Sequence, residues 1–354
     1  MKMWFLSSLA LLLPLSAAIE IKPYYTYMDQ DLELAKRNST QLSLTNKELE
    51  RWDNTAARLI QEAKLKNGQQ ERILAYLYSA QRDFSYLSNG KGSINPVSAH
   101  ILALFFPNAI LDAKGDEYSE TLGSIVYNKY RARFLTEDKI VYNYPVVENE
   151  TSYKGEKPFC GIWIGSYQPW GFEKSNAFRP SGPPPQDNPE WKTQLATLKS
   201  EMLKNNEKVR STIHYWDEQA DWNDIASNYM QSHKVPLQQQ FQVRAVLAQA
   251  LEDTKIAVYD AKYTYWTQRP HERDTAIETE IPCPNRPSYP AAFSAMGTAA
   301  ATVLSTYFPE NQSKWYALAD EAGYSRIHAG LLLPIDHIAG ERIGKQVAEA
   351  ELKK

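Results

Sequence analysis

Three observations predict an all-α fold. Apolar residues recur at helical spacing along most of the chain, one amphipathic run extends from Leu237 to Trp266, and no stretch of useful length alternates apolar with polar residues. Between Asn46 and Phe106 the stripes Trp52, Ala56, Leu59, Ile60, Ala63 and Ile73, Leu74, Leu77, Tyr78 read as packed helices. Leu122, Ile125, Val126 and Tyr130 form another stripe between about Asp112 and Asp138. From Val141 to Pro189 Pro, Gly, Trp and Tyr are dense. Ser181-Gly182-Pro183-Pro184-Pro185 cannot be helical, because consecutive prolines remove N–H donors and exclude the α region. Trp163, Trp170, Phe172 and Phe178 are too apolar to leave in water, so this crossing is expected to pack against one body. Helical patterns return at Trp191–Met202 and Trp222–Met230, and the run from Leu237 is expected to close at Arg269-Pro270. A helix rich in small residues is expected from near Pro290 to Tyr307, its alanines and Gly297 permitting close approach of neighbours. A last helix is expected over about Ile335–Lys353, with a Lys-rich end suited to the helix dipole.

A chain of 354 residues can bury a sizeable core without help from metals or many disulfides. Residues 1–18 read as a secretory signal, with Lys2 before the apolar run Trp4–Leu15 and small residues Ser16-Ala17-Ala18 for cleavage. A mature segment over 19–45 then precedes one helical domain over 46–354. That domain consists of an N-terminal half (46–140), the crossing (141–189) and a C-terminal half (190–354). After the signal no run is long and apolar enough to span a bilayer, so the exported protein is expected in the periplasm or outside the cell. The formal net charge is −3 and the basic residues are dispersed, which excludes nucleic acid and anionic membranes as partners. Cys160 and Cys283 could close one disulfide after export or remain two buried thiols. Their spacing suggests no metal site.

Chemistry is concentrated between 262 and 336. Lys262 lies seven positions before Arg269-Pro270; Pro287-Ser288-Tyr289-Pro290 runs into Ala291-Ala292-Phe293-Ser294; and Ser325-Arg326 precedes His328, Leu332 and Asp336. These three blocks resemble the signature of the type 2 phosphatidic acid phosphatase and vanadium haloperoxidase superfamily, K-x6-R-P, P-S-G-H and S-R-x5-H-x3-D. Trp170-Gly171, Phe178-Arg179-Pro180, Tyr215-Trp216 and Trp222-Asn223 resemble upstream landmarks of its soluble haloperoxidase-like branch, so the resemblance covers most of the mature chain. It implies a helical-bundle fold and a pocket in which Lys262, Arg269 and Arg326 grip phosphate or vanadate. It also implies that one His attacks phosphorus or binds vanadium at the position of Leu332, and that a second donates a proton at the position of Phe293. Ala291 and Ala292 replace the Ser and Gly of the second block.

On a continuous helix, residues seven apart share a side, so Lys262 and Arg269 are expected to point into one pocket from a single helix. Guanidinium groups supply planar forks to oxyanions and Lys a compact charge, and the helix starting near Pro290 could add backbone donors. Three cations about 6 Å apart repel by roughly 3 kcal/mol per pair at an effective dielectric near 20. Asp336, freed of its family His partner, or a bound anion is expected to neutralise them. Neither an isobutyl group nor a phenyl ring offers a lone pair or a proton, so Leu332 and Phe293 remove both catalytic steps. His328, His271 and His337 are the candidates to replace them, and His328 would share the face of Leu332 if that stretch were helical. Three functions follow: a non-catalytic protein retaining an oxyanion pocket for phosphate, vanadate or a phosphorylated small molecule; an active phosphomonoesterase with a relocated His; or an interaction module with a relic pocket.

Overall fold

The computed structural model describes residues 23–37, 40–65, 69–137 and 144–354. The proposed signal therefore lies outside the described residues. Thirteen α-helices occur among those described: α1 (Asp29–Lys36), α2 (Asn46–Glu62), α3 (Gln69–Leu87), α4 (Asn95–Phe105), α5 (Glu117–Glu137), α6 (Glu190–Met202), α7 (Glu207–Glu218), α8 (Trp222–Ser232), α9 (Leu237–Tyr265), α10 (Pro270–Arg273), α11 (Ala292–Tyr307), α12 (Gln312–His328) and α13 (Pro334–Glu351). Only isolated bridges, Ser43 with Lys91 and Ser152 with Thr267, have β character there, so the fold is all-α as expected. None of these helices is long and apolar enough to cross a membrane.

Helix starts follow local chemistry. The side chain of Thr45 accepts from the Glu48 amide, that of Asn206 from Val209, and that of Asp221 from Asn223, each satisfying a donor the first helical turn leaves open. The sequence reading assigns no element to α1, α7 or α12. Helix α12 escapes it because its buried residues, Trp315, Ala319, Ala322, Gly323, Ser325, Arg326 and Ile327, include polar and small ones and leave no clean apolar stripe.

Helix α9 is buried along nearly its whole length and packs against α3 from the N-terminal half and against α11 and α13 from the C-terminal half. The small residues of α11 let α12 and α13 close onto it, and a methyl added at Gly344 would run into the carbonyl oxygen of Ala295. The crossing folds back over α9. The amides of Trp170 and Gly171 each donate to the Asp253 carboxylate at 2.7 Å, and Arg179 pairs with Asp260 at 2.7 Å. Trp170 is buried, and Trp163, Phe172 and Phe178 are partly covered, so the apolar content of this irregular segment is spent on packing.

The structure corrects one expectation that bears on the site. Helix α9 ends at Tyr265, before Arg269-Pro270, because Trp266 takes a left-handed conformation (φ 49°) with its ring buried against Phe159 and Tyr263. The chain then runs extended to Arg269, and Pro270 opens the next helix at a position where its missing N–H costs nothing. Lys262 and Arg269 therefore do not share a helix.

Candidate functional site

Three elements bring the three cations together. Lys262 stands in the last turn of α9, Arg269 at the N-cap of α10 beyond the Trp266 turn, and Arg326 in the last turn of α12. All three line one pocket of about 460 Å³ of empty space, part of it open to solvent, together with Arg286 and Asp217. The first turn of α11 closes a side of it with Ala292 and Phe293, and the loop after α12 closes another with Leu331 and Leu332. The turn into that loop uses Gly330 at φ 76°, a conformation that glycine adopts without steric cost.

The cations are buried and held mainly by carbonyl oxygens. Lys262 Nζ donates to the carbonyls of Pro287 at 2.9 Å and Ser288 at 2.5 Å. Arg269 Nε donates to the Arg286 carbonyl at 2.9 Å, and one of its terminal nitrogens donates to Leu331 O at 3.1 Å. Arg326 donates to Ile213 O at 2.7 Å and to Asp217 Oδ1 at 2.6 Å, with its guanidinium 4.4 Å from the centre of the Phe293 ring. Among the described residues these bonds occupy two of the three N–H donors of Lys262 and two of the five of Arg269, so donors remain for a further acceptor. Burial, and then the charges of Arg269 and Arg286, hold Lys262 well below its ordinary range. Burial likewise lowers Arg269 and Arg326, the latter against the opposing pull of Asp217.

Asp336 acts on Lys262 and Arg269 at a distance and not through direct pairing. Fully buried, it caps α13: Oδ2 accepts from the Leu333 amide at 2.8 Å and from the Ser288 hydroxyl at 2.7 Å, and it bonds to none of the three cations. Its field still reaches Lys262 and Arg269, whose charges pull its carboxyl down against a larger upward push from burial. Oδ1 has no hydrogen-bond partner among the described residues. The carboxylate that pairs with a pocket cation is Asp217, on α7 directly after the Tyr215-Trp216 landmark. Arg286, directly before Pro287-Ser288, is a fourth basic residue on the wall. Sequence reasoning missed both, although each adjoins a motif it had marked.

The histidines stand elsewhere. His328 ends α12 and lies 3.5 Å from Glu201, so it does not share a helix face with Leu332, which follows in the loop. His337 Nδ1 lies 2.7 Å from the Ser294 hydroxyl and Nε2 3.4 Å from Glu341. His271 sits on α10. No histidine of the described residues lines the pocket. Ala291 is buried and its amide donates to the Asp336 carbonyl at 2.9 Å. Cys160 and Cys283 are free thiols in this structure, both partly exposed.

No protein-family model and no curated protein matches the sequence. The backbone is similar to the crystal structure of the first bacterial vanadium-dependent iodoperoxidase, with a TM-score of 0.71 and 14% identity over 89% of this chain and 98% of that one. It is also similar to a bacterial vanadium-dependent chloroperoxidase in its apo form (TM-score 0.56, 12% identity, 78% of this chain and 83% of that one). The holo form gives 0.55 and 10% over 78% and 81%. The chain therefore has the fold of the vanadium-dependent haloperoxidases.

Proposed function

We propose that this chain is an exported oxyanion-binding protein, carried out by residues 1–18, that holds phosphate or a phosphorylated small molecule without turning it over. The observation that carries the reading is the pocket wall: Lys262, Arg269 and Arg326 converge where Phe293 and Leu332 occupy the positions at which the resembled family has its two imidazoles. A tetrahedral oxyanion would accept from the donors these cations keep, in a buried setting where charge-assisted bonds are strong. Hydrolysis would require a nucleophile and a proton donor at the pocket, and its hydrocarbon walls at these two positions supply neither.

The fold's relatives named above are vanadium-dependent. Here the residues do not fit vanadate as a coordinated cofactor, because Leu332 and Phe293 have no lone pair to bind it and no imidazole lines the pocket. Free vanadate remains a fitting ligand as an oxyanion held by hydrogen bonds alone. The test is a pair of measurements on the purified mature chain: calorimetric binding of orthophosphate and orthovanadate, and hydrolysis of p-nitrophenyl phosphate. Both anions bind and no ester is cleaved. Turnover that tracks the protein through purification and disappears in His328→Ala would overturn the proposal in favour of a working phosphomonoesterase.

A further inference from the structure

We infer that the preferred ligand is a small zwitterion, a phosphomonoester bearing an ammonium group, whose amine occupies a second chamber beside the oxyanion pocket; the phosphate half rests on the reading above. The two spaces adjoin. Asp217, Arg286, Ala292 and Phe293 line both the pocket and a chamber of about 890 Å³ of empty space, part of it open to solvent. That chamber is further lined by Glu71, Lys255 and Asp221 and by the rings of Trp216, Trp222 and Tyr259.

Its charge is opposite to that of the pocket. In the chamber the three carboxylates Glu71, Asp217 and Asp221 stand against Lys255 and Arg286, whereas in the pocket Asp217 alone stands against Lys262, Arg269, Arg286 and Arg326. Glu71 is 7% exposed; its Oε1 meets Lys255 Nζ at 2.5 Å, while Oε2 has no hydrogen-bond partner among the described residues. Asp221 accepts from the Gln70 side-chain amide Nε2 at 2.8 Å and, as cap of α8, from the Asn223 backbone amide at 2.7 Å. Burial, followed by the charges of Glu71 and Asp224, pushes its carboxyl up to about 6, the response of an acid among acids. An ammonium group answers each of these features: it donates to the open carboxylate oxygen, relieves the crowding of negative charge, and is stabilised by the faces of aromatic rings. An alkyl tail in its place would leave Glu71 Oε2 buried and unpartnered, which is costly.

The experiment is a calorimetric titration of the mature chain with orthophosphate, phosphoethanolamine and propyl phosphate, repeated from mildly acidic to slightly alkaline pH so that one condition keeps Lys262 charged and another ionises Asp221. Phosphoethanolamine binds about tenfold more tightly than propyl phosphate, the order expected of a partly desolvated cation beside carboxylates and rings. Glu71→Gln and Asp221→Asn each narrow that gap and leave orthophosphate affinity unchanged. Asp221→Asn keeps the helix cap, so it carries the test if Glu71→Gln unfolds. Orthophosphate binding with equal affinity for the two esters overturns this inference alone. Orthophosphate that fails to bind overturns the oxyanion reading and this inference with it.

Discussion

Around Trp170, Arg72 and Arg133 close on the carboxylate of Glu137, each at 2.9 Å, and Tyr76 donates a third contact to it at 2.6 Å. In the pocket at the C-terminal end of α9, Lys262 and Arg269 rest on carbonyl oxygens, and of the three cations only Arg326 has a carboxylate partner, Asp217. Both regions bury cations, and burial opposes the charge in both. In the first, burial is the largest single influence, but Glu137 together with Tyr76, Glu252 and neighbouring groups outweighs it, so Arg72 and Arg133 are held above their ordinary range; in the second Lys262, Arg269 and Arg326 fall below it. The difference separates an ion-pair network centred on one carboxylate from a cation cluster in which only Arg326 is paired directly with a carboxylate and Asp336 acts on Lys262 and Arg269 at a distance. The second arrangement is the one that a bound anion would stabilise.

Removing the counter-charge from the complete network should have the largest effect. Glu137→Ala strands two guanidinium groups inside the protein and is expected to cost about 3–5 kcal/mol of stability, read by urea unfolding. A loss under 1 kcal/mol would erase the contrast between the regions. In the pocket, Arg269→Met removes a cation that has no directly bonded carboxylate among the described residues. Relief of the cation repulsion offsets part of the cost of leaving the Arg286 and Leu331 carbonyls unpaired, so the stability loss should be well below that of Glu137→Ala, while orthophosphate binding weakens by roughly ten- to a hundredfold, as expected for lost charge-assisted bonds of about 1.5–3 kcal/mol. A Tm drop matching that of Glu137→Ala would show the two regions to be alike. The smallest effect is on pH dependence. The pKa of Lys262 is depressed in the free protein and would rise again beside an anion, so binding takes up a proton once Lys262 is neutral. Affinity for sulfate, which does not itself titrate near neutrality, should therefore be constant below the depressed pKa and fall above it, by at most about tenfold per pH unit. A flat profile through the alkaline range would place Lys262 outside the binding energetics.

Much of the architecture was legible because long helices with one apolar face have a period that survives in a single sequence. Helices α2, α3, α5, α6, α8, α9, α11 and α13 each carry such a stripe or a cap. Helix α12 does not, since it buries Ser325, Arg326 and Gly323 among its neighbours and its own pattern is blurred by the site it serves. The cations of the site were legible as motif residues. Their route together was not: the left-handed turn at Trp266 that separates Lys262 from Arg269 is a bulky residue in a conformation whose sequence signal is normally Gly or Asn. Asp336 illustrates the same limit. Its sequence position beside the third block suggested a counter-ion, and only its bonds to Leu333 and Ser288 show it committed to a helix cap.

By itself the sequence determined the helical class, the identity of the cations, and the hydrocarbon character of Phe293 and Leu332, because these depend on composition, on periods within one helix, and on which atoms a side chain possesses. The tertiary structure decided which acid faces Arg326, that Arg286 joins the wall, that His328 stands against Glu201, and that a second chamber of opposite charge adjoins the first. Those facts depend on residues far apart in the chain meeting across α7, α9, α11 and α12, and neither spacing nor propensity along the chain encodes that meeting.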